Sequence, residues 1–291
     1  MPSGQLRGEE WGKLTQDYPD PDVITAILDI CTFDARIGYE GYRNTTTIHL
    51  NLKTAIADAQ TVAADIFLEL NESCLEVFPH NNGFPSHLST SPLFLTDMSD
   101  GSKTRIHLLT YKPGDMSRIN AGIPDHYSTI EYSRIEDAIQ VVQRFGRNSI
   151  VIKRDLASSF HHITVSPMDT QLLVLQLEDT WYAERFLPFG LHTARHPLNL
   201  FAEVSHRILE PELKTANISG TIIHHLEDFV LVLDLGAIAN LKKSSEIFTT
   251  LCTPAGSSNR RSKNTEGTGV SIAGLVRDSG NMVIRLRDKN L

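Results

Sequence analysis

Residues 218–233 read Ile-Ser-Gly-Thr-Ile-Ile-His-His-Leu-Glu-Asp-Phe-Val-Leu-Val-Leu, two apolar runs around a short polar segment. The runs at 218–223 and 229–233 are rich in β-branched side chains and predict two strands. The polar residues 224–228 predict the tip of a hairpin that joins these strands. The neighbouring acids Glu227 and Asp228 are therefore expected at a surface, on that tip.

Another acid stands at the end of a second apolar run. Residues 149–154 predict a strand, and Asp155 follows it directly. Carboxylates at strand ends suit a site for two divalent metal ions, because ions about 3.5–4 Å apart need shared anionic oxygens. Taken alone, each acid is more typical of a solvated residue. We predict that Asp155 and the tip with Glu227 and Asp228 meet, since neighbouring strands of a sheet lie about 4.8 Å apart.

The rest of the sequence mixes helices and strands without strict βαβ alternation. Apolar residues at helical spacing predict helices within 1–70 and at 136–145, 197–209 and 237–252. Pairs of strands around turn signals are predicted at 93–95 and 105–111, at 172–177 and 181–186, and at 269–275 and 282–286. This order of elements favours an α+β fold.

The composition is that of an ordinary globular protein. The 291 residues are 41% apolar and 21% charged, which excludes wholesale disorder and collagen-like repeats. The net charge of −8 argues mildly against a nucleic-acid binder, which usually has a basic surface. The charge is uneven, however, because residues 260–291 hold seven basic and three acidic side chains.

The cysteines and the N-terminal segment indicate the compartment. Cys31, Cys74 and Cys252 have none of the short spacings of a zinc knuckle or a redox motif, so we expect buried free thiols. The first residues lack the apolar stretch of a signal peptide, and no apolar run is long enough to span a membrane. We therefore expect an intracellular protein, cytoplasmic or nuclear, that is not secreted and binds no membrane.

Five blocks resemble motifs of reverse transcriptases and follow the order of that family. Residues 153–163 are similar to the first palm motif, K-x-D-L-x-x-A-[FY]-R-x-I, and residues 225–228 stand where the family has [YF]-x-D-D. Residues 187–190, Leu-Pro-Phe-Gly, resemble a turn that precedes a template-contacting helix. Residues 100–106 resemble the fingers hairpin, and residues 267–275 followed by Asp278 resemble the primer-grip hairpin. Weaker similarity within residues 10–70 indicates the retrotransposon branch that carries tyrosine recombinases.

The resemblance implies an α+β palm-and-fingers fold with an antiparallel palm sheet. Its expected parts are a helical N-terminal extension at 1–75, fingers at 76–150, and a palm with the primer-grip hairpin at 151–291. The family continues into a thumb and often into a ribonuclease H domain. Because this sequence ends at Leu291, we expect neither of them here.

The resemblance also implies RNA-directed DNA synthesis by two-metal nucleotidyl transfer. Asp155, Glu227 and Asp228 would be catalytic and would bind Mg²⁺, with Mn²⁺ as an alternative. The expected partners are an RNA or DNA template–primer and deoxynucleoside triphosphates. The nucleotide-binding residues that it implies are Arg105, Phe160 beneath the incoming sugar, Leu187, Pro188, Phe189, Gly190 and Lys263.

The sequence departs from the family pattern at several of these positions. Glu227 replaces the first aspartate of [YF]-x-D-D, His225 replaces its aromatic residue, and Met98 stands where a fingers lysine is expected. We expect impaired activity, because the longer Glu227 side chain displaces its carboxylate. Three hypotheses stay open: a working polymerase, an inactive relic with residual nucleic-acid binding, and a structural or regulatory protein that keeps the palm for protein contacts.

Histidines and tryptophans offer further candidates. The histidine pairs at 161–162 and 224–225 flank two palm motifs, so they could share a metal site with nearby acids. Packing or surface histidines are the preferred interpretation. Trp11 and Trp181 are expected to pack in the core rather than to stack on bases.

Overall fold

The computed structural model describes residues 6–43, 46–78, 88–98, 101–111, 119–130, 135–155, 159–226, 228–234, 240–252, 265–272 and 275–286. The helices there are α1 (Gly8–Leu14), α2 (Pro21–Phe33), α3 (Lys53–Ala57), α4 (Ala59–Asn71), α5 (Ile135–Phe145), α6 (Pro167–Thr170), α7 (Arg195–Thr215) and α8 (Leu241–Cys252). The strands are β1 (Leu75–Val77), β2 (Leu93–Asp97), β3 (Lys103–His107), β4 (Ile150–Asp155), β5 (Val174–Leu177), β6 (Thr180–Glu184), β7 (Gly220–His225), β8 (Asp228–Leu233), β9 (Thr265–Gly267), β10 (Gly269–Ile272), β11 (Leu275–Asp278) and β12 (Val283–Leu286). All named sheets are antiparallel, which confirms the predicted α+β class. Among the described helices, none combines the length and the apolar character needed to cross a membrane.

The chain divides into two compact units, each assembled from separate stretches of sequence. Within the described ranges, unit 1 holds residues 25–129 and 160–197, and unit 2 holds residues 6–24, 130–159 and 198–291. Unit 1 therefore contains β1–β3, β5 and β6, whereas unit 2 contains β4 and β7–β12. The division expected at 1–75, 76–150 and 151–291 is a functional one and stays a prediction.

The main sheet of unit 2 has the strand order β7-β8-β4-β9. Ile152 of β4 packs in a core with α7, and the next residue towards the N-terminus, Val151, packs in a second core with α5. Both faces of the sheet are thus covered, which explains why the strands are apolar at consecutive positions. The two predicted strands are confirmed as the paired strands β7 and β8, but the tip predicted at 224–228 is too long, because His224, His225 and Asp228 are paired within the strands.

Helix α7 extends beyond the predicted helix at 197–209 and ends at Thr215. Pro197 lies in its first turn, where a proline removes no intrahelical hydrogen bond. Pro211 lies inside the helix and cannot donate to the preceding turn. The apolar stripe nevertheless continues to Leu213, which is buried against the sheet, so packing carries the helix past this proline.

The small sheet β10-β11-β12 completes the described part of unit 2. Its register pairs Ile272 with Leu275, so the single strand predicted at 269–275 is wrong, because the chain reverses within it. The two positions between this pair are Ala273 and Gly274, small residues that leave the apolar run uninterrupted in the sequence. The turn predicted between the last two strands is confirmed.

Unit 1 contains the sheet β1-β6-β5 and the hairpin β2–β3. The predicted hairpin around residues 100–101 is confirmed, and its register places Leu95 opposite Arg105. This hairpin shares a core with α3, α4, β1 and β5. The buried members of that core are Ala55, Val62, Ile66, Leu75, Leu93, Leu95 and Leu175.

The tryptophans and Cys74 are buried, as expected, whereas Cys31 is only half-buried. Trp11 is 2% exposed and lies edge-on to Phe201, with the ring centroids 4.8 Å apart, and Trp181 is 5% exposed. Cys31 and Cys74 are free thiols. Burial raises the pKa of each thiol to about 12, so neither is a reactive thiolate near neutral pH.

Candidate active site

Two acids come together where the central strands of unit 2 meet. Asp155 is the last residue of β4, Asp228 is the first residue of β8, and the antiparallel register places them directly opposite each other. The Cα atoms of residues opposite each other in such a pair lie about 4.5–5.5 Å apart. The predicted meeting of Asp155 with the hairpin tip is thus confirmed for Asp228, and the catalytic roles remain predictions.

The hairpin tip is a tight turn. His225 pairs with Asp228, which leaves only Leu226 and Glu227 between the two strands. Leu226 has a φ of 53°, in the left-handed region that a non-glycine residue adopts at a cost of about 1–2 kcal/mol. Glu227, which the family resemblance implies as a metal ligand, lies outside the described residues.

Among the described residues, one oxygen of the Asp228 carboxylate has a hydrogen-bond partner and the other has none. Lys153 Nζ donates to Oδ2 at 2.6 Å, and the Lys153 and Asp228 side chains are 15% and 23% exposed. Oδ1 is buried and has no hydrogen-bond partner among the described residues. A buried carboxylate oxygen without a partner is costly, so this atom is suited to accept a cation.

Arg154, between Lys153 and Asp155, serves the opposite face of the sheet. Its guanidinium donates to Ser245 Oγ at 2.8 Å and to Glu266 Oε2 at 3.1 Å. Successive strand residues alternate between the two faces of the sheet. Arg154 therefore contacts α8 and β9 on one face, whereas Lys153 contacts Asp228 on the other. We call the end of the sheet that holds Asp155 and Asp228 the acidic end. The sequence did not distinguish these three roles.

Unit 1 brings together two of the predicted nucleotide-binding aromatics. The rings of Phe160 and Phe189 lie edge-to-face with centroids 5.9 Å apart. Phe189 is 68% exposed, whereas Leu187 and Pro188 are buried. Gly190 follows with a φ of 95°, a conformation that favours glycine. The Leu-Pro-Phe-Gly segment therefore exposes the Phe189 ring, while the two residues before it are buried.

Arg105, predicted to contact the triphosphate, is buried in unit 1. It forms a salt bridge with Glu69 of α4 and its side chain is 6% exposed, while its Nε has no hydrogen-bond partner among the described residues. Burial raises the pKa of Glu69 to about 7, against the opposing charge of Arg105, and the charge of Glu184 raises it further. No pattern in the sequence indicates this pair.

Glu184 completes the polar cluster around Arg105. Its Oε1 lies 3.2 Å from His107 Nδ1, and both side chains are buried. Burial acts to raise the pKa of Glu184, but the hydrogen bond with His107 and the charge of Arg105 hold it below its ordinary value. Charged groups therefore occupy the interior of unit 1 behind the β2–β3 hairpin.

Two further predicted positions, Met98 and Lys263, add little to the description of the site. Met98, where a lysine is expected, is 47% exposed, and its backbone N donates to Ser102 O at 2.7 Å across the hairpin turn. Lys263 lies outside the described residues. The nucleotide-binding roles of Arg105, Phe160, Leu187, Pro188, Phe189, Gly190 and Lys263 all stay predictions.

The predicted histidine pairs have different surroundings. His161 Nδ1 lies 3.6 Å from Cys74 Sγ in unit 1. His224 lies 3.0 Å from His206 of α7 in unit 2, as measured between their Nδ1 atoms, and stacks on Phe229. Burial lowers the pKa of His224 to about 4, helped by the charges of His206 and His225, so its imidazole is neutral near neutral pH.

Comparison with known proteins supports the architecture and not the sequence family. No protein-family model and no curated protein matches the chain. Solved structures do match: a foamy viral protease–reverse transcriptase dRH in complex with double-stranded DNA superposes with a TM-score of 0.60 at 12% identity, over 97% of this chain and 47% of that one. The fold is reverse-transcriptase-like.

Two more solved structures support the reverse-transcriptase-like fold. Native Prototype Foamy Virus protease–reverse transcriptase gives a TM-score of 0.57 at 14% identity, over 97% of this chain and 36% of that one. The foamy viral protease–reverse transcriptase in complex with double-stranded DNA gives 0.56 at 13% identity, over 98% and 57%. This chain therefore spans between about a third and somewhat over half of their length. The retrotransposon branch inferred from residues 10–70 stays a prediction.

Proposed function

We propose that this chain is the palm-and-fingers part of an RNA-directed DNA polymerase whose nucleotidyl transfer is slow. The observation that carries the proposal is the register of β4 and β8, which places Asp155 opposite Asp228 at one end of an antiparallel sheet. The reverse-transcriptase-like fold supports it, because the sequence motifs of that family include both acids.

The proposed reaction forms one bond and breaks another. The 3′-oxygen of a primer bonds to the α-phosphorus of a deoxynucleoside triphosphate, pyrophosphate leaves with the electrons of the broken P–O bond, and the hydroxyl proton passes to solvent. Asp155, Glu227 and Asp228 would hold Mg²⁺, whose positive charge activates the hydroxyl and stabilises the leaving oxygens. The donor set fits this ion, since it offers only carboxylates and the buried Asp228 Oδ1 lacks a hydrogen-bond partner within the described part of the chain.

Residues of the chain itself would set the rate. Lys153 already neutralises Asp228 through Oδ2, so a cation that approaches this carboxylate competes with an ammonium group. The Phe160 and Phe189 rings offer an apolar surface suited to a sugar or a base. The proposed partners are deoxynucleoside triphosphates and an RNA or DNA template–primer, in keeping with the double-stranded DNA bound by two of the similar structures.

A second candidate is a nucleic-acid-binding module that keeps the fold without catalysis. It is favoured by the Lys153–Asp228 ion pair and by Arg105, whose side chain is buried against Glu69 rather than free for a phosphate. A methionine at position 98 also removes the cation expected on the fingers hairpin.

Primer extension on a homopolymer RNA template separates the two candidates. The polymerase proposal expects slow extension by the full chain with Mg²⁺, faster extension with Mn²⁺, and none after Asp155→Asn. Extension by the purified Asp155→Asn variant at the rate of the unmodified chain would show that the reaction does not use this acid, and would overturn the proposal. A folded chain that binds the template–primer but extends it with neither ion supports the binding module instead.

A further inference from the structure

Helix α7 and strand β7 bring two histidines and an acid into one cluster in unit 2. His206 Nδ1 of α7 lies 3.0 Å from His224 Nδ1 of β7, and the two rings are nearly perpendicular, at 80°. His224 Nε2 lies 3.5 Å from Glu203 Oε1, so both nitrogens of this ring have a partner on α7. We call Glu203, His206 and His224 the α7–β7 cluster.

The spacing on α7 explains how one helix supplies several groups. Glu203, His206 and Glu210 are three and four residues apart, so they lie along one face of the helix. Glu210 Oε1 lies 3.5 Å from His206 Nε2, the nitrogen that points away from His224. A carboxylate on the outer nitrogen of a ligating histidine orients the ring and makes it a better ligand.

We propose that the α7–β7 cluster binds a divalent transition-metal ion of the zinc class. One ligand atom from each of Glu203, His206 and His224 can be chosen so that all three lie within 4.8 Å of one another. Two nitrogens bound to zinc at about 2.0–2.1 Å in tetrahedral geometry lie roughly 3.3–3.4 Å apart. The two Nδ1 atoms, at 3.0 Å, need to separate by only a few tenths of an ångström, whereas the half-exposed Glu203 carboxylate, which lies 3.5 Å from His224 Nε2, has to turn towards the Nδ1 side of that ring.

The donor chemistry decides the class of metal ion. Imidazole nitrogens suit zinc, copper and nickel, whereas Mg²⁺ prefers oxygen ligands in octahedral geometry. Two histidines and one carboxylate are also a common ligand set for zinc, which keeps a fourth position for water. The Glu203 side chain is 45% exposed and His224 only 4%, so the cluster has a buried base and an open side.

This site is separate from the acidic end of the sheet. His224 pairs with Phe229 and the next residue, His225, pairs with Asp228. Neighbouring strand residues lie on opposite faces, so the α7–β7 cluster and Asp228 are on opposite sides of the sheet. A metal ion in the cluster would link α7 to β7 at His224, one residue before β7 ends at the hairpin tip. It would stabilise this tip without taking part in catalysis.

Zinc binding by the full chain tests the proposal. The protein is stripped with a chelator, and binding of Zn²⁺ is measured by equilibrium dialysis in the presence of excess Mg²⁺. We expect about one equivalent of tightly bound Zn²⁺, and an affinity at least tenfold lower in both Glu203→Gln and His206→Gln. His196→Gln, which changes an exposed histidine of the same helix, should bind like the unmodified chain. Both test positions are partly exposed, so these variants should fold where a His224 variant would not.

Two readouts besides affinity report the geometry. Co²⁺ in place of Zn²⁺ should give visible absorption bands of a four-coordinate site, which His206→Gln should weaken or abolish. Zn²⁺ should raise the melting temperature of the unmodified chain and not that of His206→Gln. Failure to bind Zn²⁺, displacement of the ion by Mg²⁺, or equal binding by Glu203→Gln and His206→Gln would overturn the proposal. None of these readouts depends on polymerase activity, so this proposal and the proposed function can fail separately.

Discussion

At the scale of single residues, the glutamate at position 227 departs from the [YF]-x-D-D motif, and we expect this departure to limit catalysis. Glutamate and aspartate carry the same charge, but the extra methylene moves the carboxylate by roughly 1.3 Å, and a misplacement of about 1 Å costs on the order of a hundredfold in rate. The register places Asp228, the first residue of β8 after the turn, opposite Asp155. Replacing Glu227 with the shorter aspartate should bring the carboxylate at that position into reach of the same metal ions.

We therefore predict that Glu227→Asp raises Mg²⁺-dependent primer extension by at least about tenfold. Adding Met98→Lys should raise it again, because a cation is restored on the exposed side of the fingers hairpin. Single-turnover extension rates measure both effects. Glu76→Asp, the same change on a strand of unit 1, is the control and should leave the rate unaltered. An unmodified chain that already extends primers as fast as Glu227→Asp would contradict this explanation.

A second residue-scale prediction concerns Glu69. Its pKa is about 7 in the folded chain, because burial outweighs the attraction of Arg105, and the charges of Glu184 and Asp65 also raise it. The folded state therefore binds a proton more tightly than the unfolded state. Glu69 contributes most to stability below about pH 4.5 and loses that contribution as the pH rises through about 7.

Denaturant unfolding at pH 5 and pH 8 checks this sign. Relative to Glu69→Gln, the unmodified chain should lose about 1–3 kcal/mol of unfolding free energy between these two values, since each pKa unit corresponds to about 1.4 kcal/mol. The glutamine keeps a hydrogen-bonding group beside Arg105 but cannot titrate. If the two proteins change in parallel with pH, another group is responsible.

Residue identities at the acidic end could be predicted, whereas their partners could not. Asp155 and Asp228 stand at the ends of apolar runs, and that position is visible in the sequence. The Lys153–Asp228 ion pair depends on the register of two strands far apart in the chain, and Arg105–Glu69 depends on how α4 packs on a hairpin. Only part of the α7–β7 cluster could be predicted. Glu203 and His206 are one helical turn apart in the sequence, but the third member, His224, comes from a strand.

At the scale of elements, the β7–β8 hairpin contains local strain. Leu226, in its two-residue turn, has a φ of 53°, a conformation that asparagine adopts far more readily than leucine. Leu226→Asn should therefore stabilise the chain by about 0.5–1 kcal/mol, which thermal or denaturant unfolding measures.

A second hairpin supplies the matched control. Glu178 lies in the two-residue turn between β5 and β6 and has the same φ of 53°. Glu178→Asn should give a similar gain in stability, because the backbone conformation is alike. Only Leu226→Asn changes the turn beside Asp228, so only this variant should alter primer extension. A loss of stability in both variants would mean that the turns do not store this strain.

Elements with a strong apolar period were predictable, and those defined by pairing were not. The strands β4, β7 and β8 pack on both faces, so their apolar runs are long and clear. Strand β9 reads Thr-Glu-Gly, has no apolar signal, and exists as a strand because it pairs with β4. Packing likewise extends α7 past Pro211, where local propensity alone favours an end.

At the scale of the whole molecule, the order of motifs was more informative than any one of them. Each acidic or glycine-containing block is common in unrelated proteins, but five of them in one order restrict the fold. The match to reverse transcriptase structures at 12–14% identity agrees with this, since the fold tolerates replacement of most side chains when the apolar pattern persists. What the order of motifs cannot supply is function, because substitutions such as Glu227 fall within the motifs themselves.

The distribution of charge across the chain leads to the last prediction. The net charge is −8, yet residues 260–291 carry seven basic and three acidic side chains. A chain that binds template–primer should use such a basic segment for phosphate contacts, and each contact contributes about 0.9 to the slope of log K against log salt concentration for B-form DNA. We expect duplex binding that weakens steeply between about 50 and 200 mM salt.

Changing Arg260 and Arg261 together to alanine should lower the slope by up to about 2, whereas Lys13→Gln, in the acidic remainder of the chain, should not alter it. Fluorescence anisotropy with a labelled RNA–DNA duplex measures these slopes. Binding that is absent at low salt, or indifferent to salt, would instead indicate a palm kept for contacts with other proteins.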